Sequence, residues 1–281
     1  MTLPPFDLHR VSSLDQAREL LLRYEDDAAV ICGGTELLLL MKLGFAGYGH
    51  LIDIRRIDEL GGIRADNGSL VIGATSTHRE IERSPIVLER LPALAAMERR
   101  VANIRVRTAG TLGGNLCFSD PHSDPATFLL ALDAEAEWGS QRAPLAAFLI
   151  GPYETALKPA ELLRAIRIPI PAPGTHVAHR KLAFHERPAA TVTCAVRIDA
   201  DEVAEVRIAV GSVGARAVRA PAAEQRLTGA SASDAAALAE AAMLAAEASG
   251  AVGDANGPAD YKLQLVRVLV ERAFRDAAGV T

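Results

Sequence analysis

Two short segments with a Gly-Gly pair constrain the fold of this chain more than any other feature of its sequence. They are residues 32–36 (CGGTE) and residues 111–115 (TLGGN), and each leads into an apolar run. A Gly-Gly pair lets the backbone adopt positive φ and approach another group closely. It can also direct several N–H groups at one point, which creates an anion site. Two such turns that converge would suit one doubly charged diphosphate.

The composition narrows the class of protein. The chain has 281 residues, of which 49% are hydrophobic and 23% charged, as in ordinary globular proteins, and this length favours two domains. A formal net charge of -5 argues against nucleic acid as the main partner. The sequence contains no apolar run long enough to span a bilayer, and residues 1–10 lack the features of a signal peptide. We therefore expect a cytoplasmic protein.

The three cysteines, Cys32, Cys117 and Cys194, are far apart and show no CxxC spacing. Such spacing predicts reduced, free thiols, and neither zinc nor an iron–sulfur cluster in this chain.

The hydrophobic pattern of the first sixty residues predicts a small βαβ-like unit. Ser13 and Gln16 form a capping box that opens a helix. The glycine turn would then lie at the end of a strand, where α/β folds usually bind ligands. The further predicted elements are a strand at 28–32, a helix at 37–42 that Thr35 caps and Gly44 ends, and a strand at 50–54.

The middle of the chain predicts a second unit. Thr77 and Glu80 form another capping box, and Asp124 followed by Pro125 is a typical helix start. Residues 169–174 are rich in proline and end with glycine, which marks a domain boundary. The predicted elements are strands at 69–73, 135–138 and 162–168, an extended segment at 104–108, and helices at 78–83, 91–102 and 124–132.

The last hundred residues predict an antiparallel meander followed by two helices. Short polar segments separate three strands, at 178–184, 191–198 and 205–210, and the helices span 233–249 and 260–278.

Several other interpretations were weighed from the residues alone. Neither glycine pair fits a GxGxxG fingerprint, and the chain lacks a GxxxxGK[ST] phosphate loop. Asp120, His122 and Asp124 could form a metal triad, but a capped loop is preferred. The cations Arg105, Arg107 and Lys181 fit either a solvated patch or a position near a cofactor; these residues alone leave that choice open.

At these motifs the sequence resembles the FAD-binding (medium) subunits of the molybdenum hydroxylases, over nearly the whole chain. The resemblance is carried by residues 31–42 and 110–116, Ser123-Asp124, residues 161–169, Lys181, and residues 210–214 and 258–262. It implies an α+β fold. An FAD-binding domain of the PCMH (vanillyl-alcohol oxidase-like) type would span 1–174, with subdomains at about 1–56 and 57–174. A C-terminal domain at 175–281 would pack a three-stranded antiparallel sheet on helices.

The resemblance also implies a non-covalent FAD in the cleft between the subdomains. Backbone N–H groups of both glycine segments would bind the diphosphate, and Lys181 would stabilise negative charge near the reduced ring. The side chains of Thr35, Thr111 and Asn115 would add hydrogen bonds. The implied cofactor-binding residues are Ile31, Cys32, Gly33, Gly34, Thr35, Glu36, Leu37, Gly110, Thr111, Gly113, Gly114, Asn115, Asp124, Leu162, Leu163 and Lys181.

The implied activity is electron transfer within a complex. Molybdenum cofactor would lie on a large partner subunit and two [2Fe-2S] clusters on a small one, and the resemblance implies a dimer of such heterotrimers. The substrate would be set by the molybdenum subunit. Several relatives carry an acidic and an aromatic residue where this chain has residues 188–190 (PAA), which would leave one flavin face more open. The alternatives are a free-standing flavoprotein oxidase or dehydrogenase and an FAD-free scaffold subunit.

Overall fold

The computed structural model describes residues 2–184 and 186–280, so Met1, His185 and Thr281 lie outside the description. The described residues form four β-sheets with helices packed against them, an α+β architecture. Within these ranges no helix has both the length and the apolar character needed to cross a membrane.

The N-terminal sheet is parallel and has the strand order β1-β3-β2. Ser13 Oγ accepts from the Gln16 N–H at 3.2 Å, so Ser13 caps α1 as predicted, but the predicted capping box is incomplete because Gln16 Oε1 accepts from the Ser12 N–H. Gly44, at φ 80°, ends α2 as predicted, but Thr35 does not cap this helix, because Glu36 occupies the N-cap position. The elements are β1 (Asp7–Arg10), α1 (Leu14–Tyr24), β2 (Ala28–Ile31), α2 (Leu37–Leu43) and β3 (His50–Asp53).

The second sheet is antiparallel, with the order β4-β5-β10-β6-β7, and a two-stranded ribbon β8-β9 accompanies it. Its strands and the ribbon are β4 (Ile63–Asp66), β5 (Ser69–Gly73), β6 (Glu135–Trp138), β7 (Gln141–Pro144), β8 (Leu149–Gly151), β9 (Glu154–Thr155) and β10 (Leu163–Pro169). The helices between them are α3 (His78–Arg83), α4 (Pro85–Arg90), α5 (Pro92–Glu98), α6 (Ile104–Ala109), α7 (Leu112–Phe118), α8 (Asp124–Ala131) and α9 (Leu145–Phe148).

Three predictions for these helices were wrong. The segment 104–108, predicted as extended from its β-branched residues, is helix α6, because Asn103 Oδ1 accepts from the N–H groups of Arg105 and Val106. The predicted helix 91–102 is shorter, since α5 ends at Glu98. Ser123, not Asp124, caps α8: its Oγ accepts from the Ala126 N–H at 3.0 Å. The Asp124 carboxylate is therefore free for another role.

The C-terminal sheet has the order β11-β12-β13-β14. The three predicted strands are present in that antiparallel order, and a short fourth strand joins them. The elements are β11 (Thr175–Ala183), β12 (Pro188–Asp199), β13 (Glu202–Gly211), β14 (Val218–Arg219), α10 (Pro221–Leu227), α11 (Ala235–Ala248) and α12 (Ala259–Ala278).

Strand β12 joins the two cores of the molecule. Val192, Cys194 and Val196 alternate along it and pack with the apolar residues of α11 and α12. Residues on the opposite face contact the rest of the chain: Ala195 belongs to the core around α8, and the hydroxyls of Thr191 and Thr127 are 2.9 Å apart. Because side chains alternate in a strand, β12 contributes side chains to both cores. Its packing also brings the β11–β12 connection close to the first two sheets.

Candidate functional site

A cavity of about 410 Å³ lies where the first sheet, the helices of the second sheet and the β11–β12 turn meet. All of the predicted cofactor-binding residues except Lys181 line it: Ile31, Cys32, Gly33, Gly34, Thr35, Glu36, Leu37, Gly110, Thr111, Gly113, Gly114, Asn115, Asp124, Leu162 and Leu163. Cofactor binding by these residues remains a prediction.

The first glycine segment passes directly against α6. A Cβ atom built on Gly33 would lie 2.2 Å from the carbonyl oxygen of Ala109 and 2.7 Å from the Cα of Gly110, so position 33 admits only glycine. Gly34 has φ 69°, the left-handed conformation that glycine adopts without steric cost. Within the described part of the chain, the N–H groups of residues 33–36 donate to no protein acceptor. These amides are available to a ligand.

The second glycine segment differs from the prediction, because its glycines form the first turn of α7 and have negative φ. Its amides are already used inside the protein: Leu112 donates to Ser76 O, and Gly113 donates to Ala74 O, each at 3.0 Å. Gly114 donates to Thr111 Oγ1 at 3.1 Å. These amides therefore have acceptors inside the protein, and their binding of a diphosphate stays a prediction.

Close packing explains the glycines of α7 instead. A Cβ atom on Gly113 would lie 2.5 Å from Ala74 O, and one on Gly114 would lie 3.0 Å from Thr111 Oγ1. The Asn115 side chain is also partly engaged, since its Oδ1 accepts from Ser123 Oγ at 2.5 Å. The Asn115 amide nitrogen and the Thr111 N–H donate to no acceptor in the described part of the chain, so both are available to a ligand.

Asp124 is the most strongly paired charge in the cavity wall. The residue is 5% exposed; its Oδ2 accepts from Lys181 Nζ at 2.6 Å, and its Oδ1 lies 3.3 Å from His179 Nε2. Burial opposes ionisation of Asp124, but the hydrogen bond and charge of His179, and then Lys181, bring its pKa below the ordinary 3.8. The side chain is thus an oriented carboxylate.

Lys181 lies behind Asp124 rather than in the cavity. Its Nζ also donates to the carbonyl oxygen of Arg100 at 2.6 Å, and its side chain is 9% exposed. Arg107 is also engaged: its Nε lies 3.3 Å from Glu82 Oε2, and its Nη1 donates to Val101 O at 3.0 Å. Lys181 and Arg107 therefore stabilise contacts within the protein. No ion pair of Arg105 is found in the described ranges.

Arg187, which sequence reasoning missed, spans two segments of the cavity lining. Its Nη2 lies 3.0 Å from Glu36 Oε2, and its Nη1 lies 2.9 Å from Asp120 Oδ2. It follows the neighbouring Glu186, whose Oε1 accepts from Asn103 Nδ2 at 2.6 Å. No local motif marks these contacts, because the partners are 67 or more positions apart (187 − 120).

Asp120, His122 and Asp124, which were weighed as a metal triad, each contact another part of the protein. Asp120 pairs with Arg187, Asp124 pairs with Lys181, and His122 Nδ1 donates to Pro188 O at 2.8 Å. Among residues 2–184 and 186–280 no three His, Cys, Asp or Glu side chains form a group suited to a metal ion.

The three cysteines are free thiols; Cys194 is buried, and Cys32 and Cys117 are partly exposed. Cys32 and Cys117 line the cavity, and Cys194 lies in β12. Burial raises the pKa of all three thiols, that of Cys117 to about 12.

At residues 188–190, where relatives were expected to carry an aromatic side chain, Pro188 lines the cavity. Ala189 is fully buried in β12 and does not line the cavity.

Comparison with known proteins identifies relatives along the whole chain. Residues 4–171 match the family described as the FAD binding domain in molybdopterin dehydrogenase, and residues 178–277 match the CO dehydrogenase flavoprotein C-terminal domain. The carbon monoxide dehydrogenase medium chain of Hydrogenophaga pseudoflava is 37% identical over 99% of this chain and 98% of its own.

Two further comparisons extend this likeness. The caffeine dehydrogenase subunit beta of a Pseudomonas species is 32% identical over 80% of this chain and 78% of its own. The structure of reconstituted CO dehydrogenase from Oligotropha carboxidovorans superposes with a TM-score of 0.96 at 31% identity, and the likeness covers 100% of both chains.

Proposed function

Because this chain belongs to the FAD-binding medium subunits of the molybdenum hydroxylases, an oxidoreductase family, we propose that it carries FAD as an electron-transfer subunit. It would take electrons from [2Fe-2S] clusters of a small partner subunit and pass them to an external acceptor. A large partner subunit would hold the molybdenum cofactor and bind the substrate. The observation that carries the proposal is the convergence of four separate segments of predicted residues on one cavity.

The residues present fit FAD. The first glycine segment offers unpaired amides around Gly34 in the left-handed conformation, an arrangement that binds anionic groups. Position 33 requires glycine, because a Cβ atom there would collide with Ala109. The cavity volume of about 410 Å³ falls within the range of cofactor sites, and its wall includes Leu162 and Leu163. We propose that the first segment holds the diphosphate and that the leucines contact the apolar part of the cofactor.

When bound, FAD supplies the redox chemistry, and the protein contributes binding, orientation and electrostatics. We propose that Asp124 presents its carboxylate to the cofactor in one fixed orientation. His179 and Lys181 would hold that orientation from strand β11. Lys181 would therefore influence the flavin through Asp124 rather than by its own contact, which differs from the role that the resemblance implied.

We further propose that the domain boundary lies at 174/175, with subdomains at about 1–56 and 57–174, and that the complex is a dimer of heterotrimers. The gap between the two family matches, at residues 172–177, supports this boundary. The names of the relatives support assembly, since one is the medium chain and another the beta subunit of its enzyme.

The test is an absorbance spectrum of the purified chain after incubation with FAD and desalting. We expect the two visible bands of a protein-bound flavin, and their loss in a Gly33→Ala variant that stays folded. Turnover of a substrate by the single chain would instead indicate a free-standing oxidase. A folded chain that retains no FAD, alone or co-expressed with its partner subunits, would contradict the proposal and favour a scaffold.

A further inference from the structure

A buried carboxylate lies beneath the cavity with only one partner. Glu98 in α5 is 0% exposed, and its Oε2 lies 2.7 Å from His78 Nδ1. Its Oε1 has no hydrogen-bond partner in the part of the chain that the structure describes. Removing a carboxylate from water costs several kcal/mol unless its partners compensate for the lost hydration. Such a residue calls for a role beyond packing.

His78 connects this carboxylate to the cavity. It is the first residue of α3, its side chain is 3% exposed, and it lines the cavity. A Cβ atom on Gly110 would lie 3.4 Å from His78 Cδ2, the ring atom bonded to Nε2. The ring edge that carries Nε2 is therefore beside Gly110, which also lines the cavity. No hydrogen-bond partner of Nε2 is found within residues 2–184 and 186–280.

Few other positively charged side chains line the cavity. Arg187 is the one arginine or lysine among the described lining residues, and its guanidinium is already paired with Glu36 and Asp120. The acidic lining residues are Glu36, Asp120, Asp124, Glu161 and Glu186. A dianionic ligand therefore needs positive charge that the arginine does not provide.

We propose that His78 is a cofactor-binding residue whose Nε2–H donates to a phosphate oxygen of the FAD diphosphate, and that Glu98 is its positioning residue. In the doubly protonated imidazole, Nδ1–H donates to Glu98 and Nε2–H remains for the ligand. The carboxylate fixes the ring, as a buried aspartate fixes the histidine of a catalytic triad. In a site this poorly hydrated, a charge-assisted hydrogen bond is stronger than in water. This inference rests on the proposed binding of FAD.

The experiment compares three ligands of the apoprotein by equilibrium titration: FAD, ADP-ribose, which contains the diphosphate, and riboflavin, which lacks it. For His78→Gln we expect roughly tenfold to hundredfold weaker binding of FAD and ADP-ribose, the usual loss for a hydrogen bond to a charged group. Riboflavin binding should be unchanged. Glu98→Gln should show the same selective loss to a smaller extent. The glutamine side-chain oxygen still accepts from Nδ1–H, but the substitution removes the carboxylate charge.

Arg83→Gln is the matched control, since it removes an exposed positive charge from the same helix and should leave all three affinities unchanged. If either single variant fails to fold, His78→Leu/Glu98→Leu replaces the pair by apolar side chains and should still lose the diphosphate ligands selectively. Unchanged FAD and ADP-ribose affinity, or an equal loss for riboflavin, would overturn the assignment. A wild-type chain that binds no FAD would overturn the proposed function as well.

Discussion

Gly33 lies so close to Ala109 that a Cβ atom at position 33 would stand 2.2 Å from the Ala109 carbonyl oxygen. This contact joins the first glycine segment to helix α6. The two residues are 76 positions apart in the chain (109 − 33).

We predict that Gly33→Ala lowers the free energy of unfolding by about 1–3 kcal/mol, the usual cost of overpacking. It should also abolish FAD retention, since the backbone must move away from Ala109. Gly47→Ala is the control, because a Cβ there meets nothing within 4 Å and should alter neither property. Thermal denaturation and flavin absorbance measure the two effects; unchanged FAD retention in a folded Gly33→Ala protein would contradict the prediction.

A second prediction concerns Asp124→Asn. Breaking a buried ion pair by removing one partner costs about 3–5 kcal/mol, which urea unfolding at neutral pH should show. Asp276→Asn is the control: Asp276 in α12 pairs with Arg180, the neighbour of Lys181 on β11, and this exposed pair is worth at most about 1 kcal/mol. A loss for Asp124→Asn no larger than that of the control would indicate that Asp124 is not ionised or not paired.

The same residue makes stability depend on pH. Because the pKa of Asp124 is lowered in the folded state, its contribution is fully present above the ordinary value of 3.8 and is lost as pH falls through the folded value. Wild-type unfolding free energies should therefore fall below pH 3.8, and the Asp124→Asn curve should be flatter there. Parallel curves for the two proteins would count against this assignment.

Lys181 should act together with Asp124. We predict that Lys181→Met and Asp124→Leu each destabilise the protein, and that the double variant is more stable than the sum predicts, with a coupling of about 0.5–3 kcal/mol. FAD affinity should follow the same coupling, because Lys181 would reach the cofactor only through the carboxylate. Additive effects in a double-mutant cycle would argue for a separate contact of Lys181 with the cofactor.

The thiols of Cys117 and Cys194 should be unreactive in the native protein. Burial raises the pKa of Cys117 to about 12 and raises that of Cys194, so the reactive thiolate is scarce at pH 8. Iodoacetamide followed by mass spectrometry should leave both residues unmodified in the native protein and modify them in urea. Rapid alkylation of Cys117 in the native protein would show that the reagent reaches the cavity wall around this residue.

Local signals in the sequence predicted the caps of α1 and α3 correctly. Thr77 and Glu80 form the reciprocal capping box, with Thr77 N donating to Glu80 Oε2 at 2.7 Å and Glu80 N to Thr77 Oγ1 at 3.1 Å. Such boxes involve residues three apart, so the sequence alone contains them. By contrast, the β-branched pattern of residues 104–108 favoured a strand, and the cap supplied by Asn103 outweighed it.

The cavity was predictable only in part. All but one of the residues that the resemblance selected line the cavity, but the pairing of Asp124 with Lys181 links positions 57 apart, and Glu98 meets His78 across 20 positions. No periodicity encodes such contacts, since they depend on how α5, α8 and β11 pack. The assignment of Asp124 as a helix cap was wrong for the same reason: local spacing fits the cap, and only the fold brings Lys181 beneath it.

The packing of Gly113 against Ala74 changes what the TLGGN motif can report about other proteins. A descendant of this chain that had ceased to carry a flavin would still need glycine at position 113, because any side chain there would strike the Ala74 backbone. Retention of that motif would then record shared architecture alone. Gly33 is under the same constraint, since a Cβ atom there would strike Ala109, so divergence at residues 35–36 is the earlier sign of a lost cofactor.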